Sequence, residues 1–465
     1  MKVVTKFGGS LLGSRYGPRL VGDIVERYRH RDQMVVVVSA LGDTTDILLD
    51  AAEGAAKKGR AGFAEPLQSL RMLPKTAIDA TSLGLAEKAK LSARIGGLQE
   101  ELREVLEGVS ILGELSPRSR DLIVSYGERT AAPIIAGELR GRGIDSVDLT
   151  GGEAGIVTNG SFGEAKPDMK ETRKRIRRAL AKRLARGQVP VVCGFIARSK
   201  GGDTTTLGRG GSDYTATIIA SALDADEVWV YTDVDGIMTG DPRVVKNPRI
   251  VPSLSYAEAE ELAFFGAKNM HPLALGPARE DGIPVRIRNG FRPDVRGTLI
   301  TRAEKRSGGV VKCVAVVKNV GLLTVAGEAL QGRPGIAALV FRALASARVN
   351  VLMISQSVSE ANISMVVRRA ALKQASDSLK ESLAKEGIAA AVETDPSIAV
   401  LAAVGAGMRG TRGVAASLFR AVASEGVNVR MIAQGSSELN ISFVVDAAKA
   451  ERAAQSVHTL VVEKR

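Results

Sequence analysis

The stretch TTTLGRGGSD, residues 204–213, sets an arginine and an aspartate on a glycine-rich turn. The apolar run VPVVCGFIA, residues 189–197, precedes it and predicts a buried strand, and a helical pattern follows at residues 214–223. Strand, glycine loop and helix N-terminus thus come in order. Because the first N–H groups of a helix have no partner within it, such a loop can hold an anion such as phosphate. Gly210 and Gly211 would let the backbone approach that anion closely, although a solvated turn is the alternative.

Three further strands end in polar turns. They lie in KVVTK (residues 2–6), MVVVVSA (34–40) and DEVWVYTDVDGIMTGDPR (226–243). Strands that alternate with helices predict right-handed crossovers and an α/β domain with a mostly parallel central sheet, whose ligand site lies at the carboxyl ends of the strands. We therefore expect five polar residues to share one rim: Lys6, Thr45, Arg209, Asp213 and Asp233.

Composition limits the class of protein. The 465 residues are 45% hydrophobic and 25% charged, enough for about three domains. The net charge is +13, but the lysines and arginines are interspersed with acidic residues, and aromatic residues make up only 4% of the chain. We therefore expect no nucleic-acid partner. Cys193 and Cys313 are too few for a disulfide framework, which favours a reducing, cytoplasmic setting. The sequence shows no signal-peptide pattern. It also has no apolar run of about 20 residues that would indicate a membrane segment.

The last third of the chain repeats itself. Residues 335–364 contain GIAALVFRALAS, VNVLMI and NIS, and residues 413–442 contain GVAASLFRAVAS, VNVRMI and NIS in the same order. A period of about 78 residues is too long for a solenoid unit and predicts two small βαββαβ domains. A shift to Arg, Lys, Ser and Gly at residues 301–309 marks the preceding boundary.

Taken together, these motifs resemble one family. KFGGS at residues 6–10, SYGERT at 125–130, GRGGSD at 208–213 and FGAK at 265–268 come in this order before the twin repeats. The chain resembles the aspartate kinases, which have a three-layer amino-acid kinase fold followed by two ACT domains. The resemblance implies transfer of phosphate from MgATP to the side-chain carboxylate of L-aspartate, the committing step toward lysine, threonine, methionine and isoleucine. It assigns ATP and Mg²⁺ as cofactors and no protein side chain as a metal ligand.

The resemblance also implies roles for individual residues. A carboxylate with a pKa of about 4 is already ionised, so the enzyme must mainly neutralise phosphoryl charge and align the reactants. Lys6 would be the catalytic cation, and Asp213 would orient it. The substrate-binding residues would be Thr45, Glu128, Arg209, Gly210, Gly211 and Ser212. The ATP-binding residues would be Lys6, Gly8, Gly9, Ser10, Thr232, Asp233, Met238, Arg243 and Lys268, with N–H groups of Gly8, Gly9 and Gly210 on the phosphates.

Some positions depart from the family pattern, and two rival functions stay open. Leu11 replaces a hydroxyl residue, Met238 replaces an aromatic one, and Asn269 begins a less apolar pair. The rivals are another kinase of the superfamily, acting on glutamate, acetylglutamate, carbamate or a nucleotide, and a non-catalytic amino-acid sensor. Since no dinucleotide-binding domain follows residue 465, we expect no fused homoserine dehydrogenase.

The repeats predict regulation and assembly. We place a catalytic domain at residues 1–303, a linker and leading strand at 304–319, and ACT domains at 320–395 and 396–465. Small domains with exposed sheet edges are stabilised by pairing, so we expect a homodimer or higher homo-oligomer. The resemblance implies lysine or threonine as effector, although repeats that only hold the dimer together are the alternative. The implied effector residues are Gln331, Gly335, Ile336, Asn350, Gln356 and Asn362.

Overall fold

A computed structural model of the chain describes residues 1–265, 271–304 and 309–463. The chain divides into two compact units. In the described ranges, unit 1 comprises residues 1–237, 252–256 and 271–303, and unit 2 comprises residues 238–251, 257–265, 304 and 309–463. Within these ranges, no helix is both long enough and apolar enough to cross a membrane.

Unit 1 alternates strands and helices. Its strands are β1 (Lys2–Phe7), β2 (Gln33–Val38), β3 (Ser146–Leu149), β4 (Val157–Thr158), β5 (Val189–Cys193), β6 (Ile196–Ser199), β7 (Thr204–Thr206), β8 (Glu227–Thr232), β9 (Ser253–Ser255), β10 (Val285–Asn289) and β11 (Thr298–Thr301). Its helices are α1 (Gly9–Leu12), α2 (Gly17–Tyr28), α3 (Thr44–Lys58), α4 (Ala64–Ala80), α5 (Leu85–Leu112), α6 (Pro117–Gly141), α7 (Gly151–Ala154), α8 (Met169–Ala185), α9 (Gly211–Leu223) and α11 (Gly276–Asp281). The helix α10 (Tyr256–Phe264) begins in unit 1 and continues in unit 2.

The main sheet of unit 1 has eight strands in the order β3-β5-β2-β1-β8-β10-β11-β9. Only the β10–β11 pair is antiparallel among these, so the predicted mostly parallel α/β architecture is confirmed. The run of buried valines in β2 is typical of a strand covered on both faces. In the register of β1, Lys6 lies between Val37 and Val230, and its strand ends beside the carboxyl ends of β2 and β8.

The predicted strand at residues 189–197 is wrong in its second half. The chain leaves β5 at Gly194 because Phe195 adopts a left-handed φ of 65°, and the N–H of Phe195 donates to Thr215 Oγ1 at 3.0 Å. After this turn, β6 and β7 form a hairpin in a separate sheet of order β4-β6-β7. The glycine loop therefore follows β7 of this small sheet and not β5 of the main sheet.

Unit 2 contains a six-stranded antiparallel sheet and its helices. The elements are β12 (Cys313–Ala326), α12 (Ile336–Ser346), β13 (Val351–Gln356), β14 (Asn362–Arg368), α13 (Leu372–Lys385), β15 (Ala391–Val404), α14 (Val414–Ser424), β16 (Met431–Ala433), β17 (Asn440–Asp446) and α15 (Ala450–Val457). The strand order is β13-β14-β12-β15-β17-β16.

The two 14-residue strands at the centre join the repeats into one sheet. The second half of β12 pairs with β14, and its Leu323 packs in the core of the first repeat. The first half pairs with the end of β15, and Val314 packs with Leu401 in the core of the second repeat. The second repeat thus takes its fourth strand from residues 313–317, which precede the first repeat in the chain.

Candidate functional site

The glycine loop and the N-terminus of α9 form one wall of a cavity of about 690 Å³ in unit 1. Gly210, which precedes the helix, has a left-handed φ of 68°, and a Cβ at this position would lie 2.3 Å from the Cβ of His271. Only glycine fits such a position. The loop holds Arg209 exposed at the cavity wall, while Ser212 and Asp213 in the first turn of α9 are buried.

An ion pair lines this cavity. Lys6 Nζ is 2.8 Å from Asp213 Oδ1, and the two side chains are only 12% and 10% exposed. The strand β1 supplies the lysine and the first turn of α9 supplies the aspartate, where the helix dipole favours a negative charge. The pair therefore holds a cation at a fixed place, as transfer of a charged group requires.

A second carboxyl group, that of Glu128 on α6, is almost fully buried in the same cavity. Its Oε1 accepts a hydrogen bond from the N–H of Ala40 at 3.1 Å, whereas Oε2 has no partner among the described residues. Burial raises the pKa of Glu128 to about 8, although backbone hydrogen bonds and the nearby Lys6 charge oppose the shift. The adjacent Gly127 permits this approach, because a Cβ there would be 2.7 Å from the Cβ of Ala40.

The structure brings the predicted substrate and catalytic residues together. All eight of them line the cavity: Lys6, Thr45, Glu128, Arg209, Gly210, Gly211, Ser212 and Asp213. Gly9, which was predicted to bind ATP, also lines it. Of the five residues predicted to share one rim, Lys6, Thr45, Arg209 and Asp213 line this cavity, whereas Asp233 is not among its lining residues. It is exposed after the end of β8, where its carboxylate accepts a hydrogen bond from Thr232 at 3.0 Å.

Not every predicted phosphate donor is free. The N–H of Gly8 donates to the carbonyl of Tyr231 at 3.1 Å, so the prediction that this group serves phosphate is wrong. The cause is that Gly8 directly follows β1, which pairs with β8. Within the described ranges, the N–H groups of Gly9 and Gly210 have no acceptor. Ser10 is exposed in α1.

Two predicted nucleotide contacts belong to unit 2, and a third is not described. Met238 belongs to unit 2, where it forms a bridge with Ile250. Arg243, in the same unit, is exposed and pairs with Asp241 at 2.6 Å. Lys268, like the departure at Asn269, lies outside the described residues.

The sequence interpretation missed several residues of the cavity wall, above all Asp121. This residue lies seven positions before Glu128 on α6, a spacing that puts both on one helix face. From this spacing alone, Asp121 could have been predicted to lie near Glu128. Phe195 was also missed because its left-handed turn interrupts an otherwise apolar run. His271 packs against Gly210, and burial followed by the Arg209 charge lowers its pKa.

Unit 2 has a cavity of about 330 Å³ in the first repeat. Gly335, Ile336 and Gln356, three of the predicted effector residues, line it together with Arg333 and Glu360. The other three lie outside this lining. Gln331 and Asn350 are exposed, and Asn362 is half-buried at the start of β14.

Comparison with known families agrees with this architecture. Residues 1–289 match the amino acid kinase family, and residues 323–383 and 401–460 each match the ACT domain. The chain therefore belongs to the amino acid kinase family.

Individual relatives define the family more closely. Aspartokinase 1, chloroplastic, of Arabidopsis thaliana is 34% identical over 467 residues, which cover 98% of this chain and 79% of that protein. The structure of E. coli aspartokinase III in complex with aspartate and ADP (R-state) matches with a TM-score of 0.84 and 30% identity over 99% of this chain and 100% of that one. The same enzyme in complex with lysine and aspartate (T-state) matches with a TM-score of 0.80 and 30% identity, covering 99% of both chains. Within the amino acid kinases, the chain belongs to the aspartokinases.

Proposed function

We propose that this protein catalyses ATP-dependent phosphorylation of the side-chain carboxylate of L-aspartate to give 4-phospho-L-aspartate and ADP. The observation that carries the proposal is the cavity in which the Lys6–Asp213 ion pair, Glu128 and Arg209 converge. The match to an aspartokinase in complex with aspartate and ADP supports it. This reaction would commit aspartate to lysine, threonine, methionine and isoleucine.

The substrate end of the cavity has charges that complement an amino acid. Arg209 offers a planar guanidinium that suits the α-carboxylate. The unpartnered Oε2 of Glu128 is a buried acceptor for the α-ammonium group, provided that the carboxyl group is ionised. Thr45 and Ser212 line the same space and can donate hydrogen bonds. Both charged ends of aspartate are thus bound, which leaves its side-chain carboxylate to react.

The chemistry needs no general base. An oxygen of the aspartate side chain attacks the γ-phosphorus of ATP, the bond from that phosphorus to the bridging oxygen breaks, and ADP leaves with the electron pair. Charge on the transferring group is neutralised by Lys6, which Asp213 holds in place at 2.8 Å. The N–H groups of Gly9 and Gly210 can donate to phosphate oxygens.

We assign Thr232, Asp233, Met238, Arg243 and Lys268 to nucleotide binding from the family resemblance alone. Mg²⁺ would accompany the nucleotide and add positive charge near the phosphates. In the described parts of the chain, no three His, Cys, Asp or Glu side chains lie close enough together to hold a metal ion. Because protein-bound Mg²⁺ usually relies on substrate phosphates and water, with one or two carboxylates, it would be held mainly by the phosphates of the nucleotide.

We further propose that the repeats bind an end product and join chains into a homodimer or larger homo-oligomer. The catalytic domain would be residues 1–303, with ACT domains at 320–395 and 396–465. The lysine named for E. coli aspartokinase III makes lysine the first effector to test and threonine the second. The cavity lined by Gly335, Ile336 and Gln356 is the candidate effector site.

A substrate panel tests the proposed reaction. Release of ADP from MgATP should be measured with aspartate, glutamate, N-acetylglutamate, carbamate and UMP as separate acceptors. We expect turnover with aspartate to exceed that with every other acceptor by at least about tenfold. The extra methylene of glutamate misplaces the reacting carboxylate, and the remaining acceptors lack the free α-ammonium group. Robust turnover of another acceptor alone would assign a different kinase of the superfamily, and no turnover with any of them would favour a non-catalytic sensor.

A further inference from the structure

The buried carboxylate of Asp121 is saturated by hydrogen bonds from two separate segments. Its oxygens accept from the N–H of Gly163, at 3.0 Å to each, from the N–H of Thr206 at 2.8 Å and from the Thr206 hydroxyl at 2.9 Å. Asp121 is only 1% exposed. Hydrogen bonds to an ionised acceptor are roughly twice as strong as neutral ones, so this group fixes both segments firmly.

The two segments meet where the glycine loop begins. Thr206 ends β7, three residues before Arg209, and its carbonyl accepts from the N–H of Ala165 at 2.8 Å. A Cβ at Gly208 would lie 3.3 Å from Cγ of Glu164, so the loop also packs against the second segment. Asp121 therefore lies at the base from which the arginine-bearing loop extends into the cavity.

Two acidic residues on one face of α6 contribute to the substrate end of the cavity. Asp121 and Glu128 are seven residues apart, which corresponds to about 20° of rotation at 100° per residue. Glu128 lines the cavity, and Asp121 anchors the segment that precedes Arg209.

We propose that Asp121 is a positioning residue, which acts through Arg209 to set the affinity for the amino-acid substrate. The inference rests on the proposed function. A positioning role differs from a merely structural one in two ways. Loss of the Asp121 carboxylate should raise the KM for aspartate but not that for ATP, and it should do so only when Arg209 is present.

The test is the Asp121→Asn variant, which keeps the size but points an amide N–H₂ at N–H donors. Glu138→Gln is the matched control, since Glu138 is a fully buried acid on the same helix that bonds Ser82 and Arg142 outside the cavity. We expect Asp121→Asn to raise the KM for aspartate at least tenfold and that for ATP less than twofold. In an Arg209→Ala background the same change should alter the KM for aspartate less than twofold.

Equal increases in both KM values, or an undiminished effect without Arg209, would overturn the role of Asp121. Hydrogen exchange of residues 204–213 in the free protein supplies a readout independent of activity. Exchange there should be at least tenfold faster in Asp121→Asn than in Glu138→Gln, and equal exchange would also overturn the role. If Asp121→Asn does not fold, Thr206→Val removes one of the four hydrogen bonds and gives the same comparison. Failure of the wild type to phosphorylate aspartate would instead refute the proposed function.

Discussion

The raised pKa of Glu128 predicts that binding of aspartate depends steeply on pH. Oε2 of this carboxyl group is buried without a partner in the described structure, and the pKa of about 8 means that the free protein holds a proton there at neutral pH. Only the ionised form can pair with the substrate ammonium group. Substrate binding must therefore release the proton, and the apparent KM contains the fraction of protein that is already ionised.

The size of the effect follows from that fraction. With a pKa of about 8, roughly one molecule in ten is ionised at pH 7 and one in a hundred at pH 6. Because apparent affinity falls in proportion to the competent fraction, the KM for aspartate should fall about tenfold from pH 6 to pH 7 and about fivefold from pH 7 to pH 8, and level off above about pH 9. Glu128→Gln should abolish this slope. At pH 8.5 it should raise the KM by about 10- to 150-fold, as expected for the loss of a charge-assisted hydrogen bond worth about 1.5 to 3 kcal/mol.

Steady-state kinetics at saturating MgATP, in one mixed buffer of constant ionic strength, measures the slope. Glu138→Gln, which alters a buried acid of α6 outside the cavity, should keep the wild-type slope. Burial and the Arg209 charge lower the pKa of His271, which packs against Gly210, so this group does not account for a KM that still falls as pH approaches 8. A KM that is independent of pH in the wild type, or a slope that persists in Glu128→Gln, would refute the assignment of the ammonium site.

The same group makes a thermodynamic prediction with a definite sign. A carboxyl group with a pKa raised from about 4.3 in the unfolded chain to about 8 in the folded protein binds its proton more tightly when folded. Its contribution to stability is complete below pH 4.3 and is lost as pH rises through 8, at no more than about 1.4 kcal/mol per pH unit. The free energy of unfolding of Glu128→Gln should therefore fall less between pH 5 and pH 8 than that of the wild type. An identical decline would contradict the raised pKa.

Four further changes test other parts of the account. Lys6→Ala should lower kcat by at least about 100-fold, because a cation at the transferring phosphoryl group is lost, and a fall below tenfold would argue against this role. Arg209→Ala should raise the KM for aspartate tenfold or more and leave that for ATP within about twofold; a selective effect on ATP would reverse the two ends of the site. Gly127→Ala should cost about 1 to 3 kcal/mol in urea unfolding because its Cβ would clash with Ala40, whereas Gly97→Ala, with open space around it on α5, should be neutral or stabilising by up to about 1 kcal/mol. Lysine or threonine should inhibit the 465-residue chain about 5- to 150-fold but not a fragment that ends at Thr301, and absence of both inhibition and calorimetric binding would leave the repeats as structural domains.

Much of the site could be predicted because polar turns that follow strands and begin helices mark it in the sequence. Lys6 and Asp213 are more than 200 positions apart, and they were correctly placed together, although Asp213 follows the hairpin strand β7 and not a parallel strand of the main sheet. The two repeats could also be predicted, since matching residues recur about 78 positions apart. Both signals are local patterns that recur along the chain.

The errors concern contacts that local patterns do not encode. The hairpin of β6 and β7 depends on a left-handed Phe195 that Thr215 holds by a hydrogen bond. The use of the Gly8 N–H by Tyr231 depends on which strand lies beside β1. The pairing of residues 313–317 with the second repeat was not predicted at all, because an apolar strand does not specify its neighbour.

The central claim is that this cavity transfers phosphate to the side-chain carboxylate of aspartate, and trapping with hydroxylamine tests it most directly. The protein, MgATP, L-aspartate and hydroxylamine should together yield the hydroxamate of the side-chain carboxyl group, identified by mass spectrometry and quantified against ADP. Our account predicts one hydroxamate per ADP with the wild type and at least about 100-fold less with Lys6→Ala. ADP formation without hydroxamate, or equal hydroxamate from both proteins, would contradict it.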